Sequence, residues 1–212
     1  MAFTIHKYSA DRLDTTVSIL ANAFVSNPLH ISVFGTERID QNRLFFRIGL
    51  RHMFTGRAFV ALEDGQVRGY IHFNPSPYCL PAPEEIPLAA TTLLKPLGRA
   101  IPQLIKWFAR WCHLDPEEPH VHLGPIGVAT VAQKQGIGTA LMNRYIEHLK
   151  QEQSAGYLET DKTENVKFYE KFGFAVRREE KLLGTTVWYM WRPPDSKSKF
   201  SPQVSARVKL LL

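Results

Sequence analysis

The chain has 212 residues, 44% of them hydrophobic and 22% charged, which suits one globular domain with a sizeable core. Its formal net charge is +6, but Lys197, Lys199, Arg207 and Lys209 against Asp195 place half of that excess after Pro194. The remaining surplus is mild and forms no basic stripe interleaved with aromatics, so composition argues against a nucleic-acid binder. Cys79 and Cys112 lie far apart and belong to no C-x-x-C pair, so they read as thiols of a reducing compartment. The start, Met1 to Lys7, has no apolar leader, and no run nears the ~20 apolar residues of a membrane span. The expectation is a cytoplasmic protein.

In chain order, Phe3 to Tyr8 alternates apolar and polar residues as a first strand. Asp11 is placed to cap a helix carrying Leu13, Val17, Leu20 and Phe24, which runs to about Val25 and stops at Asn27-Pro28. A second helix is predicted from about Glu37 to Met53, with Leu44, Ile48 and either Phe45 or Leu50 facing inward. Between the two lies the apolar stretch Leu29 to Phe34. By itself it reads as a loop tucked against the core; its functional reading is a wall of a ligand cleft. Ala58 to Leu62 and Val67 to Phe73 form a hairpin about Asp64-Gly65.

Residues 78 to 118 read as an insertion. Pro81, Pro83 and Pro87 stiffen its entry. Leu94, Leu97, Ile101, Leu104, Ile105, Phe108 and Trp111 make an apolar stripe, with Lys95, Arg99, Lys106 and Arg110 as a separate basic one. Pro96 and Pro102 argue against one unbroken helix. Such a helix can bind a membrane surface or a partner; the reading preferred here docks it on its own domain.

The centre of the chain is Val121 to Leu149. An apolar strand, Val121 to Val128, leads through Gln133-Lys134-Gln135-Gly136-Ile137-Gly138-Thr139 into a helix in which Ile137, Leu141, Tyr145 and Leu149 recur every four residues. A strand–Gly-rich turn–helix junction can aim backbone N–H groups and the positive end of a helix dipole at an anion. A dinucleotide fingerprint needs a third Gly where Leu141 stands, and a P-loop needs Lys-Ser/Thr where Thr139-Ala140 follow, so both are excluded. Gly136-x-Gly138 alone also suits a tightly packed strand–helix turn. Tyr157 to Thr160 is the next strand. Asn165 to Phe172 is a short helix stopped by Gly173, and Phe174 to Leu183 pairs with Thr185 to Trp191. Residues 194–212 read as a flexible basic tail.

Gln133-x-x-Gly136-x-Gly138 resembles the Q/R-x-x-G-x-G/A signature of the GNAT (GCN5-related) N-acetyltransferases. Leu123 to Val128 looks like that family's central strand, and Asn165 to Phe174 like its later N-x-x-[F/L]-Y-x-x-x-G-F motif. The resemblance implies an α/β (α+β) GNAT fold over residues 1–193. This is a mixed, mostly antiparallel sheet of six to seven strands with helices on both faces, splayed central strands and the helical insertion between strands three and four. Acetyl-CoA would enter the splay. Its pantetheine would lie along Ile126, Gly127 and Val128, its pyrophosphate on the turn from Gln133 through Thr139, and Asn165 would contact it. Asn165 also suits a helix N-cap. Tyr169 matches the family's tyrosine that protonates the leaving thiolate, and a backbone N–H of the central strand steadies the oxyanion.

The base is left open among His120, His122 and Glu159, with His122 and Glu159 put forward. His120-x-His122 is half a metal site at most, with no third ligand at a convincing spacing, so no metal is expected. The acceptor would sit between Leu29, His30 and Phe34 on one side and Trp107 of the insertion on the other. The implied activity is acetyl transfer to an amine, of a small molecule with hydrophobic parts, by a monomer or homodimer. The alternatives are a protein or peptide amine as acceptor, and a non-catalytic acyl-CoA-binding module.

Overall fold

The computed structural model describes residues 2–54, 56–77 and 95–195. The predicted proline-rich entry to the insertion, Cys79, Leu94 and the basic tail lie outside the described residues, as do the side chains of Lys95 and Pro96.

Among the described residues seven strands form one sheet: β1 (Thr4–Lys7), β2 (Arg57–Glu63), β3 (Gln66–Pro75), β4 (His120–Val128), β5 (Ala155–Thr160), β6 (Ala175–Leu182) and β7 (Thr185–Arg192). Their order is β1-β2-β3-β4-β5-β7-β6. All neighbours are antiparallel except β4 and β5. Among the described residues there are six α-helices: α1 (Leu13–Phe24), α2 (Pro28–Phe34), α3 (Ile39–Ile48), α4 (Ile101–Leu114), α5 (Ile137–Glu152) and α6 (Thr163–Glu170).

The period of two along each strand sorts the core into halves. Val60, Tyr70, Tyr157 and Tyr189 face the cluster built with α1 to α4, while Phe59, Ile71, Leu158 and Met190 face the one built with α5 and α6. Gly127 on β4 lets α1 close on the sheet, since a Cβ there would stand 2.9 Å from Leu20 Cδ2.

Several local expectations change. Asp11 does not cap α1; it lies in a short 3-10 turn, Ala10–Arg12, and the helix begins at Leu13. Leu29 to Phe34 is not a loop but the helix α2. Pro28 occupies its first turn, and the Asp161 carboxylate accepts from Leu29 N–H at 2.8 Å, so the cap comes from the far end of β5. α3 gives way at Gly49 to a wider turn, Gly49–Met53; Ile48 and Phe45 are buried and Leu44 packs partly buried against the core, as expected, while Phe46 and Asn42 are buried as well. In α4 Ile105 turns outward, 52% exposed, and Trp107 turns inward. The helix docks on its own domain: Arg110 grips Glu180 of β6 with two hydrogen bonds, 2.8 and 2.5 Å. Among the described residues no single helix is long and apolar enough to cross a membrane.

Candidate active site

β4 and β5 pair over His120↔Ala155, Val121↔Gly156 and His122↔Tyr157, and then part. β4 runs on to Val128 and β5 to Thr160 with a wedge between them. β4 also carries one extra residue against β3, since Ile71 pairs Ile126 but Phe73 pairs Leu123. This bulge at Gly124-Pro125 turns the backbone out of the ladder at the wedge's edge. A side chain at Gly124 would bring its Cβ to 2.6 Å from His72 Nδ1, so the imidazole sits where only glycine leaves room for it.

A cavity of about 470 Å³ opens through the wedge. Leu123 to Val128 line one side of it. Asn165, Phe168 and Tyr169 of α6 enter from the other, and Gln133 and Gly138 stand at the mouth. The turn before α5 is built to leave donors unused. Gly136 has φ +86°, with nothing within 4 Å of where its Cβ would be. The first backbone bond into α5 runs from Ala140 N–H to Gly136 O, so the N–H groups of Ile137, Gly138 and Thr139 have no acceptor inside the helix. Lys134 also adopts positive φ and is exposed. Gln133 and Gln135 turn their amides back to the carbonyls of Val128 and Val131, at 3.3 and 3.1 Å, and so shape this loop. α6 begins at Thr163 rather than at Asn165. That residue therefore lies in the first turn, not at the cap.

Tyr169 is buried against Phe168 and Phe174, and burial raises its hydroxyl pKa, so the phenol keeps its proton at neutral pH. On the opposite side of the sheet, His120 and His122 share one face of β4, both packed on Tyr157. Glu159, two residues further along β5, meets His122 Nε2 at 2.7 Å. His122 and Glu159 reach the cavity wall, and their side chains are only 9% and 4% exposed.

The inner end of the cavity is aromatic. Leu29, His30 and Trp107 line it together with Phe24, Phe45 and Trp111. Phe34 stands behind this wall, 5.7 Å from His30 and 5.6 Å from Phe45 between ring centroids. Asn42 donates through Nδ2 to Arg38 O, so its Oδ1 accepts the His30 Nδ1 proton, at 2.6 Å. Burial pushes the His30 pKa down to about 4 and keeps the ring neutral. Trp107 and Trp111 hold buried indole N–H groups with no partner among the described residues.

Two further polar groups were not singled out in the sequence. His72 lies on the cavity wall, accepts Gly56 N–H at Nε2 (3.1 Å) and keeps a buried, unpaired Nδ1. Burial drives its pKa to about 3. A histidine inside the apolar run Tyr70-Ile71-His72-Phe73 was the signal available. Asp161, whose only mark was its place directly after β5, holds Leu29 N–H and Asn27 Nδ2.

Known proteins share this architecture. The model of the Acetyltransferase (GNAT) family matches residues 30–174. A Corynebacterium glutamicum protein, named as histone acetyltransferase HPA2 and related acetyltransferase, superposes with a TM-score of 0.71. It is 20% identical, and the match covers 94% of this chain and 100% of that one. The yncA protein of Salmonella typhimurium, solved with its cofactor acetyl-CoA, has a TM-score of 0.56 at 15% identity, over 94% and 98% of the two chains. A Brucella melitensis GNAT family acetyltransferase in complex with acetyl-CoA has a TM-score of 0.51 at 16% identity, over 91% and 88%. At these identities the likeness speaks for the fold alone.

Proposed function

Because the chain belongs to the GNAT acetyltransferase family, we propose that it transfers the acetyl group of acetyl-CoA to the amine of a small molecule with an apolar or aromatic body. The observation that carries this reading is the single cavity joining the β4–β5 wedge to the aromatic chamber. The residues present fit the donor. The bulged edge of β4 from Gly124 to Val128 offers backbone to the pantetheine amides, as an added strand would. The N–H groups of Ile137, Gly138 and Thr139, unclaimed within α5, face open space beside Gly136 where a pyrophosphate can approach. When bound, acetyl-CoA supplies an activated thioester.

The chain's own groups then divide the work. Glu159 and His122, bonded to each other at the cavity wall, receive the proton that an ammonium must lose before its nitrogen becomes a nucleophile. Backbone N–H groups of β4 near the bulge stabilise the oxyanion. Tyr169 holds its proton at Oη and delivers it to the departing sulfur. Acceptor choice falls to the chamber. Rings of Phe24, Phe45, Trp107 and Trp111 favour an apolar or aromatic body, and the two unpaired indole N–H groups favour acceptor atoms upon it.

The test is release of free thiol from acetyl-CoA against a library of amines. Turnover concentrated among arylalkyl and other apolar primary amines is the expected result. Turnover only with peptide N-termini or protein lysines refutes the small-molecule reading. Binding of acetyl-CoA with no thiol release for any amine refutes catalysis.

A further inference from the structure

Beside His122, already assigned to acetyl transfer, the inner end of β4 and the end of α4 add two groups without a role there, and together they bring three donor atoms to one point. Asp115, which ends α4, places Oδ1 3.5 Å from His120 Nε2 and 3.6 Å from His122 Nδ1. All three atoms lie within 4.8 Å of one another. Each histidine has its other nitrogen engaged. His120 Nδ1 donates to the Glu118 carbonyl at 2.8 Å, and His122 Nε2 meets the Glu159 carboxylate at 2.7 Å. Partners of this kind select the tautomer whose lone pair points the opposite way, here towards Asp115, as they do behind metal-bound imidazoles.

We propose that Asp115, His120 and His122 form a binding site for a divalent transition metal of the zinc class, one that acetyl transfer does not require. Two imidazoles and a carboxylate are a zinc donor set with a fourth position left for water. Spacing separates zinc from six-coordinate ions. With bonds of about 2.0–2.1 Å, tetrahedral ligand atoms stand about 3.3 Å apart, whereas octahedral neighbours stand about 3.0 Å apart. The separations of Asp115 Oδ1 from the two imidazole nitrogens, 3.5 and 3.6 Å, lie closer to the tetrahedral value, and the imidazole nitrogens themselves stand within 4.8 Å of each other. The side chains are 0%, 9% and 18% exposed for His120, His122 and Asp115, so the ion would be largely shielded from water.

Occupancy has one consequence that rests on the proposed role of His122. A metal on Nδ1 holds that ring as an Nε2–H donor to Glu159 and withdraws it from proton exchange, so the ion acts as an inhibitor.

The full-length chain, stripped with a chelator, is titrated near neutral pH with Zn²⁺ by calorimetry and with Co²⁺ by visible absorption. One ion per chain and a tetrahedral Co²⁺ spectrum are expected. Asp115→Asn and His120→Gln, each verified as folded by circular dichroism, should weaken binding by at least ~10-fold. Lack of stoichiometric uptake, a six-coordinate spectrum, or wild-type affinity in both folded variants overturns the site. Thiol release in the same metal-free preparation separates the two outcomes: turnover without metal uptake removes this proposal and leaves the acetyltransferase reading in place.

Discussion

Neutral His30, held in the acceptor chamber, makes stability depend on pH in a way that can be worked out. Its pKa falls from the ordinary 6.5 to about 4, chiefly through burial, with the Asn42 hydrogen bond opposing the shift. As pH drops below 6.5 the unfolded chain takes up a proton at this histidine and the folded chain does not. Unfolding is therefore favoured progressively until about pH 4, where the folded form also protonates. A gap of about 2.5 pH units at 1.36 kcal/mol each makes the full loss about 3 kcal/mol.

The perturbation is the double variant His30→Leu/Asn42→Leu. Replacing His30 alone leaves the Asn42 carbonyl oxygen buried without its donor, at a cost of about 1–3 kcal/mol. Urea unfolding monitored by tryptophan fluorescence gives stability for both proteins at neutral pH and near pH 4.5. The wild type should lose about 2–3 kcal/mol more than the variant over that interval. Absolute stabilities are irrelevant; the difference of differences is read. Equal losses in the two proteins would show that His30 titrates normally, and the chamber would then hold a cation in acid.

Tyr169→Phe removes one hydroxyl from a buried ring and should lower kcat by roughly 10²–10⁴-fold with little change in acetyl-CoA affinity by calorimetry; an unaltered kcat removes Tyr169 from proton delivery. Gly136→Ala forces a Cβ into φ +86°, at a cost of about 1–2 kcal/mol. If the turn seats the pyrophosphate, the KM for acetyl-CoA rises about tenfold, while the KM for the amine stays put. Glu180 has its pKa pulled down to about 2, first by the Arg110 hydrogen bond, so its stabilising contribution is present above about pH 4.5 and disappears as pH falls through about 2. Glu180→Gln should flatten that part of the acid unfolding curve; an unchanged acid limb would mean that the Arg110 contact does not hold α4 to β6.

The long periodic elements were legible because their signals are local. The hairpin about Asp64-Gly65, the strand His120–Val128 and the helix after Gly136 follow from turn chemistry and from apolar spacing of two or about four. α2 was not legible. Seven residues make fewer than two turns, Leu29, His30, Val33 and Phe34 are all buried, and the cap is Asp161, more than a hundred residues later. The site shows the same division. The turn from Gln133 to Thr139, together with Tyr169, could be marked from spacing. Pairing Glu159 with His122 needed the parallel register His122↔Tyr157, which no hydrophobic pattern encodes. Asp115 reaches the two histidines because the chain doubles back after α4, and His72 is visible as a cavity residue only once the β4 bulge places Gly124 against it.

The short seam between β4 and β5 has a mechanical consequence. Just three residue pairs tie the four-stranded leaf β1–β4 to the three-stranded leaf β5–β7, so the sheet resembles a book bound only at the inner end of its spine. His122 is printed on one page and Glu159 on the other, bridged at 2.7 Å. Opening the book by about 1 Å carries that contact past any useful hydrogen bond. Substitutions along the binding, at Val121 or Gly156 for instance, would then behave as kinetic lesions although they touch neither substrate. The fasteners across the covers, Arg110 to Glu180 and Asp161 to Leu29, keep the pages in register.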